Sequence, residues 1–166
     1  QHGLICNSET TREACHQLLG RPLPTHIARP AAITQIHPFS EQKLTERRQH
    51  LGPLKILFLG TMTRRKGLHR ILEALKFVST SVDLTVIGSP DRDRPYAAQC
   101  RALAESSQPH RSDFMGEVAP TTVQEKLMQS HLLAVPSDYE GFGIAYVEGF
   151  SAGLPCVATS RGAPPE

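Results

Sequence analysis

LKILFLGTMTRRKGLHRILEALKFVSTSVDLTVIGS, residues 54–89, decides the fold. KILFLG at 55–60 is apolar at nearly every position, as strands buried on both faces are. Leu68, Ile71, Leu72, Leu75 and Val78 then recur at helical spacing. They predict one helix, centred on RILEALKFV at 70–78, that lays a single apolar stripe on a sheet. VDLTVIG at 82–88 is the next strand. Strand, helix and strand in this order form a βαβ unit, whose strands pair in parallel through a right-handed crossover.

The alternation continues downstream. Ala97, Ala98, Cys100, Ala102 and Leu103 mark a helix, DFMG at 113–116 a short strand, and PTTVQEKLMQ a helix with Pro120 in its tolerant first turn. LLAVPS at 132–137 is a strand, GIAYVEGFSAG a helix and PCVATS at 155–160 the last strand. The fold class expected is therefore α/β, a Rossmann-like doubly wound parallel sheet. The first fifty residues read differently. LICNS suits a strand and TTREACHQLLG a helix, but Pro22, Pro24, Pro30 and Pro38 break the periodicity and predict extended connecting chain. A domain boundary is expected near residues 38–52.

Length and composition bound the function. A chain of 166 residues allows one domain, or one domain and part of another. Eighteen Lys and Arg against sixteen Asp and Glu leave a net charge of +2, far from the basic surface that phosphate contacts to nucleic acid require. Cys6, Cys15, Cys100 and Cys156 show no metal-site spacing and no disulfide framework, so reduced thiols in a cytoplasmic setting are expected. QHGLICNSE has neither a basic n-region nor a long apolar run and does not read as a signal peptide. It reads as a chain entered in mid-fold, and SRGAPPE stops without a closing helix; a fragment truncated at both ends is the expectation.

In an open parallel sheet, ligands bind beyond the carboxyl ends of the strands. The loop after the first of these strands, GTMTRRKG, sets Gly60 at a turn and Arg64, Arg65 and Lys66 before a helix, a combination suited to phosphate oxygens. It is neither a Walker sequence nor G-x-G-x-x-G. The loops GSPDRDRP and GEVAP are tight turns, and Glu117 reads as a surface carboxylate. PSDYEGFGIAYVEGFSAGLP, residues 136–155, is the most informative stretch. Glu140 precedes Gly141-Phe142-Gly143, whose glycines allow a backbone to approach a ligand closely, and the helix that follows points its N–H groups into the same space. Glu148 lies eight positions on, so the two carboxylates suit different parts of one ligand. Taken singly, the Arg-Arg-Lys run also reads as a solvated helix start, and Glu140 and Glu148 as exposed charges. His69 and His131 read as helix-surface and strand-end residues.

Together these segments carry a resemblance. EGFGIAYVE between PSDY and GFSAGLPCVAT resembles the Glu-x7-Glu region of retaining GT-B glycosyltransferases of family 4, the group 1 type. GTMTRRKGLHRILEAL is similar to that family's phosphate-binding turn, and LTVIGS, FMGEVAP and SRGAPPE match further segments in order. LICNSETTRE resembles the last strand and helix of the acceptor domain, and ITQIHPFS the interdomain linker. The resemblance implies that residues 1–40 are the tail and linker of an N-terminal acceptor domain and residues 41–166 an incomplete C-terminal donor-binding domain. It implies that Lys66 with Arg64 or Arg65 neutralises a donor diphosphate, that Glu140 stands by the donor sugar, and that Glu148 holds the nucleotide ribose. Gly60, Thr61, Val118, Gly141, Phe142 and Gly143 would complete the donor site, with Val118 meeting the base through its main chain. Thr61 stands where many members carry Arg, and Glu166 matches a family glutamate whose preceding glycines are altered.

The activity implied is transfer of a hexosyl group from a UDP- or GDP-linked sugar, with retention, to a glycan, lipid or small-molecule acceptor held by the other lobe. No metal or other cofactor and no nucleic acid is implied, and the site of action would be the cytoplasm, including the inner membrane surface. A non-hydrolysing sugar-nucleotide epimerase and a non-catalytic nucleotide-sugar-binding module are the alternatives. The Glu-x7-Glu region favours transfer over epimerisation.

Overall fold

The computed structural model describes residues 3–31 and 41–164. Two parallel sheets organise them. The smaller joins β1 (Leu4–Cys6) to β2 (Thr25–Ile27) through helix α1 (Glu9–Leu19). Ser8 caps α1 by accepting from the Thr11 N–H at 3.0 Å, and Gly20 ends it in the left-handed conformation. Helix α2 (Glu41–Arg48) precedes the larger sheet.

That sheet holds β3 (Leu54–Leu59), β4 (Val82–Ile87), β5 (Arg111–Gly116), β6 (Leu132–Val135) and β7 (Cys156–Ala158), all parallel in the order β5-β4-β3-β6-β7. The connecting helices are α3 (Leu68–Leu75), α4 (Arg94–Glu105), α5 (Pro120–Gln129) and α6 (Ile144–Ser151). Right-handed crossovers in this order place α3 and α4 on one face and α5 and α6 on the other. The doubly wound sheet expected from the sequence is the one observed.

β3 and β4 pair along their whole length, from Leu54 beside Val82 to Leu59 beside Ile87. Leu57, Phe58, Leu84, Val86 and Leu133 from the strands meet Leu68, Leu72 and Leu127 from the helices, all removed from solvent. Each such side chain contributes roughly 1.5–3 kcal/mol of transfer free energy. The chain leaves β3 toward one face and β6 toward the other, so their carboxyl ends diverge and open a crevice.

The first fifty residues depart from expectation at two places. Thr25–Ile27, between Pro24 and Pro30, is a strand rather than connecting chain. Its ladder pairs Leu4 with Thr25 and Cys6 with Ile27, and leaves the prolines outside. EQKLTERR forms α2, which has no apolar stripe; it is fastened by Arg47, whose guanidinium donates to the Gly153 carbonyl at 3.0 Å and the Met128 carbonyl at 3.2 Å. The segment ITQIHPFS and Glu166 lie outside the described residues. No helix among the described residues is long and apolar enough to cross a membrane. The four cysteines are free thiols, and burial pushes that of Cys156 up to about 11.

Candidate functional site

The crevice between β3 and β6 is a cleft of about 610 Å³. The turn after β3 lines it with Gly60, Thr61 and Lys66; the loops after β4 and β5 add Ser89, Glu117 and Val118. Glu140, Gly141, Phe142, Gly143 and Glu148 form its other wall, and Asn7 closes it from the β1–α1 connection.

The turn after β3 explains which cations enter. Arg64–Lys66 is a 3₁₀ turn, in which successive side chains point about 120° apart. Only one of three can face the cleft, and Lys66 does. Its ammonium lies 2.6 Å from Glu140 Oε1. Arg65 donates to the Tyr139 carbonyl and comes within 3.9 Å of Glu140 Oε2 from outside. Arg64 turns to α4, over the Tyr96 ring at 5.6 Å and onto Gln99 at 3.1 Å. Arg64 and Arg65 do not line the cleft, whereas the other residues expected to complete the donor site do. Gly67 follows the turn at φ +74°, and a Cβ there would stand 2.2 Å from the Pro136 carbonyl oxygen. This contact presses the turn against the loop after β6.

That loop is held from several directions. Ser137, fully buried, donates to Glu140 Oε1 at 2.5 Å, and the Asp138 N–H donates to the Arg65 carbonyl at 2.7 Å. Arg70 pairs with Asp138 and donates to the Pro136 carbonyl at 2.9 Å, and the guanidinium lowers the Asp138 pKa. The Ala163 N–H donates to the Glu140 carbonyl at 2.9 Å, beside a parallel bridge from Glu140 to Gly162. Glu140 is therefore fixed at backbone and side chain, and is 6% exposed.

Glu148 is equally buried, at 7% exposed, but its carboxylate carries no hydrogen bond or ion pair among the described residues. Removal from water raises its pKa above the usual carboxylate range. Gly143, at φ +89°, opens α6, and the N–H groups of Phe142 and Gly143 have no hydrogen-bond acceptor among the described residues. Among the described residues the cleft thus offers an ammonium from the turn after β3, and unpaired amides and a partnerless carboxylate from the facing wall. These suit phosphate oxygens at one end and hydroxyl donors at the other. Asn7, Ser89 and Ile144 were not legible as site residues; their positions depend on how the loops converge.

His69 and His131 take structural parts. The Tyr96 hydroxyl lies 2.8 Å from His69 Nδ1, and His131 Nδ1 accepts from the Lys55 N–H at 3.0 Å. Burial lowers both histidine pKa values. Among the described residues, no group of three or more His, Cys, Asp or Glu is placed to hold a metal ion.

A doubly wound parallel sheet with a crevice at its switch point defines the Rossmann-like class of α/β protein. Residues 53–166 match the family described as Glycosyl transferases group 1, and the chain belongs to that family. It is 32% identical over 123 residues to the D-rhamnosyltransferase WbpZ of Pseudomonas aeruginosa, across 73% of this chain and 31% of that protein. It is 28% identical over 123 residues to a glycogen synthase of Mycobacterium tuberculosis, across 70% of this chain and 28% of that protein. The chain thus spans about three-tenths of the length of these relatives.

Its fold is similar to that of Anabaena Alr3699/HepE in complex with UDP and glucose. The TM-score is 0.80 at 23% identity, over 96% of this chain and 45% of that one. The C-terminal domain of the group 1 glycosyl transferase LpcC from Francisella tularensis superposes with a TM-score of 0.62 at 21% identity, over 79% of this chain and 71% of that one.

Proposed function

We propose that the cleft binds a nucleoside-diphosphate sugar and that the protein to which this chain contributes transfers the sugar, a hexose with retained configuration, to an acceptor hydroxyl. The observation that carries the reading is the Lys66–Glu140 ion pair, 2.6 Å long, set against the Phe142 and Gly143 amides, which are unpaired among the described residues. An ammonium has three donors, and Glu140 occupies one of them. The others meet the diphosphate and stabilise the charge that develops as the sugar leaves, without a divalent cation. Glu140, held by Lys66 and Ser137, accepts from donor-sugar hydroxyls. Glu148 accepts from the ribose hydroxyls, and Val118 lies by the base. Arg65, outside the cleft, supports the wall through Tyr139 and adds positive potential.

UDP- or GDP-linked hexoses are the donors this reading favours; the group 1 family and the Anabaena structure with UDP and glucose support it. The acceptor, whether glycan, lipid or small molecule, would be held by sequence beyond this chain, in the cytoplasm or at the inner membrane surface. By itself the chain is expected to bind donor without completing transfer, because it spans about three-tenths of the length of its relatives. Titration calorimetry of the chain with UDP, GDP, ADP and their glucose conjugates tests the reading. Micromolar binding of one of them is expected, and no binding of any would overturn it. Epimerised sugar nucleotide formed without an acceptor would replace transfer with epimerisation.

A further inference from the structure

The wall of the cleft is gripped from a second side, by residues far away in sequence. Ser8, fully buried, donates to the Gly141 carbonyl at 2.5 Å, and the Thr11 hydroxyl donates to the same oxygen at 3.0 Å. The two hydroxyl oxygens also lie 2.9 Å apart, so Ser8, Thr11 and the Gly141 carbonyl form one hydrogen-bonded cluster. The first turn of α1 packs directly on Gly141: a Cβ there would stand 3.4 Å from Thr11 Oγ1 and 3.9 Å from Asn7 Nδ2. On the other side, Glu140 is held by Lys66, Ser137 and the Ala163 N–H.

We infer that Ser8 and Thr11 are positioning residues of the donor cleft, which fix the Gly141–Phe142 peptide so that its N–H is presented to an anionic oxygen. The inference rests on the nucleotide-sugar reading above. A trans peptide is planar, with C=O and N–H pointing opposite ways. Holding the Gly141 oxygen on α1 therefore directs the Phe142 N–H away from α1, and that N–H has no protein acceptor among the described residues. Gly141 has no side chain to resist rotation of this peptide plane. Without the two hydroxyls, the plane can turn and offer a diphosphate the negative end of the peptide dipole. The smaller β1–α1–β2 unit thereby sets the chemistry of a wall built by the larger sheet.

Thr11→Val tests this, because the Thr11 hydroxyl caps no helix, whereas Ser8→Ala would also uncap α1. The variant, Thr11→Ser and the unsubstituted chain are each titrated with UDP, GDP, uridine and guanosine, and their urea midpoints compared. Thr11→Val is expected to weaken the bound diphosphate about fivefold, the worth of one net hydrogen bond. It should leave the matching nucleoside's affinity unchanged, and Thr11→Ser should restore the diphosphate's. An equal loss for diphosphate and nucleoside, or no loss for the diphosphate, overturns the positioning role and leaves the nucleotide-sugar reading standing. Failure of the unsubstituted chain to bind any nucleoside diphosphate overturns the nucleotide-sugar reading itself.

Discussion

Glu140 and Glu148 stand on consecutive segments of the chain at nearly equal burial, yet their surroundings are opposite. The loop after β6 gives Glu140 an ammonium, a serine hydroxyl and a pinned backbone. Helix α6 gives Glu148 desolvation and no partner among the described residues. A paired, buried carboxylate is oriented before a ligand arrives, and its geometry is part of the fold. A partnerless one is desolvated without compensation, a cost that hydroxyl donors would offset. Loop and helix thus line one cleft with two carboxylates, one set by its partners and one without a partner among the described residues.

The comparison breaks most severely at Gly162. This residue has φ +85°, and a Cβ would stand 2.2 Å from the Glu140 carbonyl oxygen. Gly162→Ala is expected to cost about 3 kcal/mol, from strain and overpacking together, read as a lowered urea midpoint with loss of nucleotide binding. Lys66→Ala takes the Lys66 ammonium from buried Glu140 and, on the proposed reading, deletes a charge-assisted phosphate contact. Nucleoside diphosphate affinity should fall by roughly 1.5–3 kcal/mol, tenfold or more, and unchanged affinity in calorimetry would reject the phosphate role.

Glu148→Gln sharpens the other half. Nucleoside affinity should fall by about tenfold, the worth of hydrogen bonds to a charged group, while the unliganded protein becomes more stable at neutral pH. The sign follows from linkage. The folded pKa of Glu148 is raised, so its contribution to stability is fully present below the unfolded value of about 4.3 and is lost as pH rises through the folded value. The difference in urea stability between native chain and variant, followed from pH 4 to 8, should therefore grow with pH and favour the variant.

Asp138→Asn is the mildest change. Its pair with Arg70 is about two-fifths exposed on both sides, so solvent screens it and the cost should be the smallest of these variants. Here the folded pKa is lowered, so the contribution is present at neutral pH and disappears as pH falls through that value. Parallel thermal melts of native chain and variant should converge as the pH is lowered from 7 into the acid range.

Much of this architecture is legible in sequence because strands buried on both faces and a helix with one apolar stripe leave strong periodic signals. α2 leaves none: EQKLTERR has one apolar residue and is fastened by Arg47 reaching carbonyls more than eighty residues away. β2 is three residues long and bracketed by proline, so no alternation can develop. Within the site, Lys66, Glu140 and Glu148 are named by the motifs, but the order of Arg64, Arg65 and Lys66 does not say which one enters the cleft. The 3₁₀ turn decides that, and turn type is set by how Gly67 meets Pro136. Asn7, Ser8 and Thr11 leave no site signal, because their contact with Gly141 exists only when segments about 130 residues apart meet.

That separation bears on the order in which the molecule folds. Three of the four strand pairings from β3 onward join neighbours in sequence, and the fourth sets Ile56 of β3 beside Leu132 of β6, whereas fastening Gly141 to α1 closes a longer loop, of about 130 residues. Contacts of such span form late, after the sheet has paid for its own ordering. The two hydroxyls thus belong to the last step of assembly: substituting Thr11 would speed unfolding of the loop and leave the folding rate of the sheet unchanged.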